Sequence, residues 1–293
     1  MNEIGFPGLG IDAFTVDRVA FTVFGRDVMW YGVIIAIGMI VAVSYMMWRT
    51  TQYKGMKPDE IIDFALFVII FGVIGARLYY VIFDPTPNYE SVKDVIAIWN
   101  GGLAIYGGII FGAVTAIIVC LIKKIHIPCF FDMLAPAVMI AQAIGRWGNF
   151  VNAEAHGGVT DIFIRMEING VCYHPTFLYE SLWNVAGFIL LNILYKKRRF
   201  DGQIVLGYLA WYGLGRGFIE GLRTDSLYVG VLRVSQLVGF ISFAVALGLM
   251  IYFLVTKRAP LYESISYKTV KSECVTDNEN NEDEKENENG TDN

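Results

Sequence analysis

Between Gly145 and Gly158 the chain reads Gly145-Arg146-Trp147-Gly148-Asn149-Phe150-Val151-Asn152-Ala153-Glu154-Ala155-His156-Gly157-Gly158. Within a dozen positions it sets a guanidinium, two carboxamides, a carboxylate and an imidazole, punctuated by glycines. Such groups can hold an anion and move a proton. A second constellation follows: Tyr212, Arg216, Glu220 and Arg223 are spaced four, four and three, so they share one face of a helix.

The elements that must position these groups are set by hydropathy. The 293 residues are 55% hydrophobic and 17% charged, a balance that points to an integral membrane protein. Residues 28–48, 99–122 and 234–255 contain no Asp, Glu, Lys or Arg, and each is long enough for the roughly 20 helical residues that cross a hydrocarbon core. Four further stretches complete the count: 64–83 with Arg77, 133–145 with Pro136 and Gln142, 177–195 with Glu180, and 204–220 with its charges at the end. The expected fold is an all-α polytopic membrane protein of about seven transmembrane helices. It divides into an N-terminal extracytoplasmic segment at 1–27, a catalytic membrane domain at 28–258 and a tail at 259–293.

Orientation follows from Lys and Arg. Arg49, Lys54 and Lys57 follow the first span, Lys123 and Lys124 the third, Lys196-Lys197-Arg198-Arg199 the fifth, and Lys257-Arg258 the seventh. With seven crossings every basic cluster falls on one side, the cytoplasm, leaving the N-terminus and the 84–98, 146–176 and 221–233 loops outside. Dropping the short fourth span would scatter the clusters. Met1–Asp27 has no cationic start before an apolar run, so insertion through the first span is the simpler reading than a cleaved signal peptide. The tail carries ten acidic residues against three lysines, a net −7 that accounts for the overall −5; its composition favours disorder and leaves the body at about +2. Cys120, Cys129, Cys172 and Cys274 form no close pair, and there is no HExxH or Walker loop. Neither metal, other cofactor nor nucleic acid is expected.

The remaining polar residues crowd the outer ends of the helices: Trp30-Tyr31, Arg77, the Trp99–Gly108 stretch, Arg146, Tyr173-His174-Pro175 with Tyr179 and Glu180, and the Tyr212–Arg223 face. Charged groups at membrane depth are costly and usually line an interior cavity. Structural readings stand beside the functional one. Arg77 and Arg223 can snorkel to the headgroups, Arg216 and Glu220 can neutralise each other across one turn, and Gly101-Gly102 and Gly107-Gly108 can serve close helix packing. A merely structural re-entrant turn gives no reason for the density of 145–158.

The residues of that stretch, from Gly145-Arg146 and Gly148-Asn149-Phe150 through Asn152, Glu154 and Gly157, match the signature G-R-x-G-N-F-x-N-x-E-x-x-G, and the chain thereby resembles the bacterial prolipoprotein diacylglyceryl transferases. The likeness extends to Trp30-Tyr31-Gly32, Gly101–Gly108, His174-Pro175-Thr176, Leu178-Tyr179-Glu180 and Tyr212-Gly213 through Arg216 and Glu220, covering about residues 15 to 256. It implies transfer of the diacylglyceryl group of phosphatidylglycerol to the lipobox cysteine thiol of prolipoproteins, with release of glycerol phosphate, in the bacterial plasma membrane. The substrate supplies the nucleophile. The enzyme's part is to hold a departing phosphate, for which a planar, permanent cation is well matched. The resemblance gives that role to Arg146 and Arg216, with Asn149 and Asn152 supporting, Glu154 and Glu220 orienting the arginines, and Gly157, Tyr31 and Tyr212 shaping the lipid site.

A free thiol of pKa about 8.5 also needs a base. Some relatives have histidine where this chain has Tyr106, and tyrosine, with a pKa near 10, is a poor base unless the arginines ionise it. Tyr106, Glu154 and His156 therefore stay open as candidates, with His174 read as structural. Two rivals remain. Another phospholipid headgroup-processing enzyme would use lipid phosphate and arginines equally well. An anion transporter would require polar residues near the midplane of several helices. A cleft opening sideways to the outer leaflet would admit both lipid and signal peptide.

Overall fold

The computed structural model describes residues 2–50, 56–84, 89, 91–98, 101–224, 228–229 and 232–257. The apolar stretches form long helices: α1 (Trp30–Thr50), α2 (Pro58–Phe83), α4 (Ile105–Ile122), α5 (Ile127–Asn152), α6 (Thr176–Tyr195), α7 (Gln203–Ile219) and α8 (Val234–Thr256), with a short α3 (Val92–Ile96) between α2 and α4. All except α3 and α7 are long and apolar enough to cross a membrane, six in all among the described residues. At 17 residues α7 falls just short by length, and a 3-10 turn, Glu220–Leu222, continues it. The chain is a multi-pass helical membrane protein. The tail from residue 258, Pro85–Asn88, Trp99-Asn100 and Cys274 lie outside the described residues.

Two units divide the chain: one of Met1–Met47 with Ile127–Arg258, the other built on Trp48–His126. In the first, glycines bring helices to backbone contact. A Cβ on Gly213 of α7 would sit 2.5 Å from the carbonyl oxygen of Gly239 in α8, and one on Gly239 2.7 Å from that of Gly213. In the second, a Cβ on Gly107 of α4 would lie 2.2 Å from the Gly75 oxygen of α2, so Gly107 serves close packing.

The sequence reading made the fold all-α, and the described residues add strands that it did not foresee. β1 (Asn2–Phe6) pairs with β2 (Ile11–Val16) and β5 (Met166–Ile168), and β5 with β6 (Val171–Tyr173), giving the order β2-β1-β5-β6. β3 (Val19–Val23) and β4 (Arg26–Met29) form a hairpin leading into α1, and β7 (Tyr228–Val229) pairs with β8 (Leu232–Arg233) before α8. These strands are short and interrupted by turns, so their alternation is lost beside the long apolar runs. Ile4, Met166, Ile168 and Phe177 form a buried cluster under the four-stranded sheet, and Phe150 packs against it. The sheet therefore braces the end of α5 and the start of α6.

The chain ends of these helices meet in two places. Gly157 bridges Arg223, and Gly158 N–H donates to the Leu222 oxygen at 2.9 Å, so the segment after α5 lies at the C-terminal end of α7. At the N-terminal end of α7, buried Asp132 accepts hydrogen bonds from the backbone of Gly202, Ile204 and Val205 at 2.8, 2.9 and 2.9 Å. That carboxylate caps the orphan N–H groups of the first turn.

Candidate active site

The fourth apolar run was expected to end at Gly145, with the signature in a loop. Instead α5 continues to Asn152, carrying Arg146, Asn149 and Asn152 on its last two turns. Hydropathy stops where polar side chains begin, but helical hydrogen bonding does not. The spacing of three places these side chains along one edge. The helix stops where Ala153 and, after one residue, Ala155 take positive φ of 51° and 57°, a conformation costly for a side chain bearing Cβ. The N-terminal segment holds this end in place: Arg18 Nη2 donates to the Asn152 oxygen at 2.9 Å and Asn2 Nδ2 to the same oxygen at 3.4 Å.

At the centre stands Glu180, buried in the second turn of α6. Its Oε2 lies 2.7 Å from Arg146 Nη2, and its Oε1 lies 3.2 Å from Arg216 Nη1 and 3.5 Å from Arg223 Nη1. Arg216 Nη2 also meets Glu220 Oε2 at 2.7 Å, and Arg233 Nη1 donates to the Glu220 backbone oxygen. Arg216 and Glu220 do pair, yet Arg216 also reaches across to Glu180, so mutual neutralisation is only part of its role. Three guanidinium groups thus meet around one buried carboxylate. Such a site favours an anion.

Glu154 stands elsewhere. Its Oε1 accepts from Asn149 Nδ2 at 3.0 Å and from Asn152 Nδ2 at 3.2 Å, and it pairs with no described guanidinium. The carboxylate beside Arg146 is that of Glu180 rather than that of Glu154. Asn149 links the two groups, since its Oδ1 accepts weakly from Arg146 Nη1 at 3.4 Å. Sequence reasoning noted Glu180 without assigning it a role. The available signal was an acidic residue inside an otherwise uncharged span.

Glycines bring the remaining parts close. A Cβ on Gly148 would sit 2.6 Å from the Tyr31 ring, so Tyr31 lies against the signature turn of α5. A Cβ on Gly157 would sit 2.6 Å from His174 Cβ and 2.9 Å from the Leu222 oxygen, so only glycine passes between these segments without displacing them. Beside Arg216, a small pocket is lined by Glu180, Trp183, Asn184 and Tyr212. His156 Nδ1 lies 3.1 Å from the Gly157 oxygen, and its ring centroid is 4.1 Å from that of Tyr173. His174 Nδ1 lies 3.3 Å from the Tyr179 hydroxyl.

Tyr106 and Arg77 belong to the second unit. Tyr106 stands in the first turn of α4, 45% exposed, with its ring centroid 6.5 Å from that of Tyr79. Arg77 does not snorkel; it is 8% exposed, and its guanidinium donates to four backbone oxygens. These are Asp94 at 2.6 Å, Val95 at 2.7 Å, Gly101 at 2.8 Å and Gly102 at 2.9 Å. Gly101 and Gly102 have φ of 86° and 73°, so this pair is needed for its backbone conformation.

A family model described as prolipoprotein diacylglyceryl transferase matches residues 18–252. Phosphatidylglycerol–prolipoprotein diacylglyceryl transferases of Staphylococcus aureus strains MSSA476, MW2 and JH9 are each 41% identical over 270 residues, covering 88% of this chain and 96% of theirs. The matched span contains α1 to α7 and nearly all of α8, together with the whole Glu180 cluster. The chain belongs to the prolipoprotein diacylglyceryl transferase family.

Proposed function

We propose that the Glu180-centred arginine cluster is the phosphate-binding part of an enzyme that transfers the diacylglyceryl group of phosphatidylglycerol to prolipoproteins. The transferase activity and both substrates follow from family membership. The observation that carries the role of the cluster is the convergence of Arg146, Arg216 and Arg223 on one buried carboxylate. In the reaction the sulfur of the lipobox cysteine forms a bond to the diacylglyceryl carbon, and the bond from that carbon to the phosphate oxygen breaks. The electron pair leaves with glycerol phosphate. Arg146 and Arg216 hold the phosphate as charge develops on it, and Glu180 and Glu220 fix their guanidinium planes.

Asn149 and Asn152 hold Glu154 by one carboxylate oxygen, and Oε2 takes no hydrogen bond from a described residue. Glu154 is therefore our choice to receive the thiol proton. Tyr31, Tyr212 and Gly157 line the lipid's path, and Tyr106 contacts lipid rather than acting as the base.

The membrane is the bacterial plasma membrane, crossed seven times with the N-terminus outside. Three features support this. β1 pairs with β5, which sets the N-terminal segment beside the α5–α6 connection. The bonds of Gly157 and Gly158 to the end of α7 put that end beside the same connection, which supports a crossing by both α6 and α7. The basic clusters fall on the opposite side.

The test is transfer of labelled glycerol from phosphatidylglycerol to a lipobox peptide in membranes, comparing the intact chain with Arg146→Ala at equal expression. Transfer by the first and a loss of about 100-fold or more in the second is expected, since removing one such donor lowers kcat by roughly 10²–10³ elsewhere. Equal transfer by both would remove Arg146 from the phosphate site. Release of labelled headgroup without transfer to the peptide would favour a headgroup-processing enzyme.

A further inference from the structure

Asn184 stands one turn beyond Glu180 on α6, so the two side chains share a face. It is 2% exposed, inside a helix long and apolar enough to cross the membrane. No described residue hydrogen-bonds its carboxamide, and Asn184 lines the pocket beside Glu180, Trp183, Tyr212, Gly215 and Arg216. A buried amide without a partner is destabilising, and the lipid around a membrane helix offers none. Leucine has the same branching and number of heavy atoms and would carry no such penalty. An asparagine here is therefore explained by something polar that enters the pocket.

The chemistry of the wall narrows what enters. The Glu180 carboxylate in the wall is already paired with Arg216 and two further guanidinium groups, which disfavours an ammonium group. The carboxamide both donates and accepts, which matches a hydroxyl, itself a donor and an acceptor. The pocket is open at its mouth and has space for about one water-sized group, so a single hydroxyl has room. We infer that Asn184 hydrogen-bonds a free hydroxyl of the glycerol headgroup while the neighbouring arginines hold its phosphate, making Asn184 a determinant of headgroup specificity. This rests on the phosphatidylglycerol reading above and adds a subsite to it.

The test uses the full-length protein in proteoliposomes with two donor lipids of equal charge, phosphatidylglycerol and phosphatidylpropanol, the second lacking both headgroup hydroxyls. The intact protein should prefer phosphatidylglycerol by about tenfold or more in kcat/KM, since sites that bind a hydroxyl reject analogues without it. Asn184→Leu should bring the two lipids within about twofold of each other, by loss on phosphatidylglycerol alone, with a melting temperature no lower than that of the intact protein. Asn184→Ser, which keeps a hydroxyl, should retain part of the preference and serves if the leucine variant fails to fold. Equal losses on both lipids, or a ratio unchanged by Asn184→Leu, would overturn the subsite while leaving the transferase reading intact. No transfer from phosphatidylglycerol by the intact protein would overturn both.

Discussion

Arg77 and Arg216 both lie on apolar helices with their side chains largely withdrawn from solvent, yet their guanidinium groups are held in different ways. Arg77 donates to four carbonyl oxygens of its own unit, across the residues that lead into α4. Its charge is met by backbone dipoles, and no carboxylate is needed. Arg216 is met by two carboxylates, one of which it shares with Arg146 and Arg223. The first arrangement fixes a loop; the second keeps several cations together at a partly open surface. A buried arginine is thus a functional candidate by the kind of partner it has, more than by its depth.

Replacing both arginines with lysine, one at a time, would break that comparison most directly. Lysine keeps the charge but not the planar fork. Arg216→Lys cannot bridge Glu180 and Glu220 in two directions, and transfer should fall about 100-fold, a loss in the range of a removed phosphate donor. Its melting temperature should move little. If Arg216→Lys retains more than a tenth of the activity, the fork geometry is not what the site uses.

Glu180→Gln comes next. The guanidinium groups of Arg146, Arg216 and Arg223 would lose their shared counter-charge while keeping an isosteric acceptor. Breaking a buried ion pair costs roughly 3–5 kcal/mol, and the retained hydrogen bonds should reduce that figure. We expect transfer per folded molecule to drop about tenfold, with a clear loss of thermal stability. An unchanged rate would show that the arginines hold their positions without it.

Arg77→Lys should reverse the pattern. One ammonium cannot reach four carbonyl oxygens, and the groups left without a donor should cost roughly 1–3 kcal/mol. The expected result is a lower melting temperature, with transfer per folded molecule within about threefold of the intact protein. A larger fall in rate without destabilisation would move Arg77 into the reaction.

How far these roles were legible in the sequence depends on whether they are local. The boundaries of α8 and the position of the signature could be read directly, because an apolar run and a fixed spacing are properties of neighbouring residues. The continuation of α5 through Arg146–Asn152 was hidden because hydropathy records side chains, whereas the helix is held by its backbone. The strands on either side of Gly10 and Gly25 were hidden because short hairpins leave little periodicity. Glu180 was visible as an acidic residue in an uncharged span, but its three partners come from the end of α5, from α7 and from the segment after it. No spacing rule joins those positions. The same holds for Arg77, whose carbonyl partners are 17 to 25 residues away.

The smallest effect is expected at the C-terminus. The family match ends at residue 252, and every residue assigned to the arginine cluster precedes α8. The tail is acidic, with ten carboxylates against three lysines, and phosphatidylglycerol is an anion, so charge gives the tail no attraction for the donor lipid. On the proposed topology it also lies across the membrane from the cluster. Ending the chain at Arg258 should leave transfer from phosphatidylglycerol within about twofold at equal membrane levels, at both low and physiological salt. A loss relieved by raising the salt would mean that the tail acts electrostatically through the cytoplasmic surface, and a loss insensitive to salt would mean that it supports the membrane domain by contact.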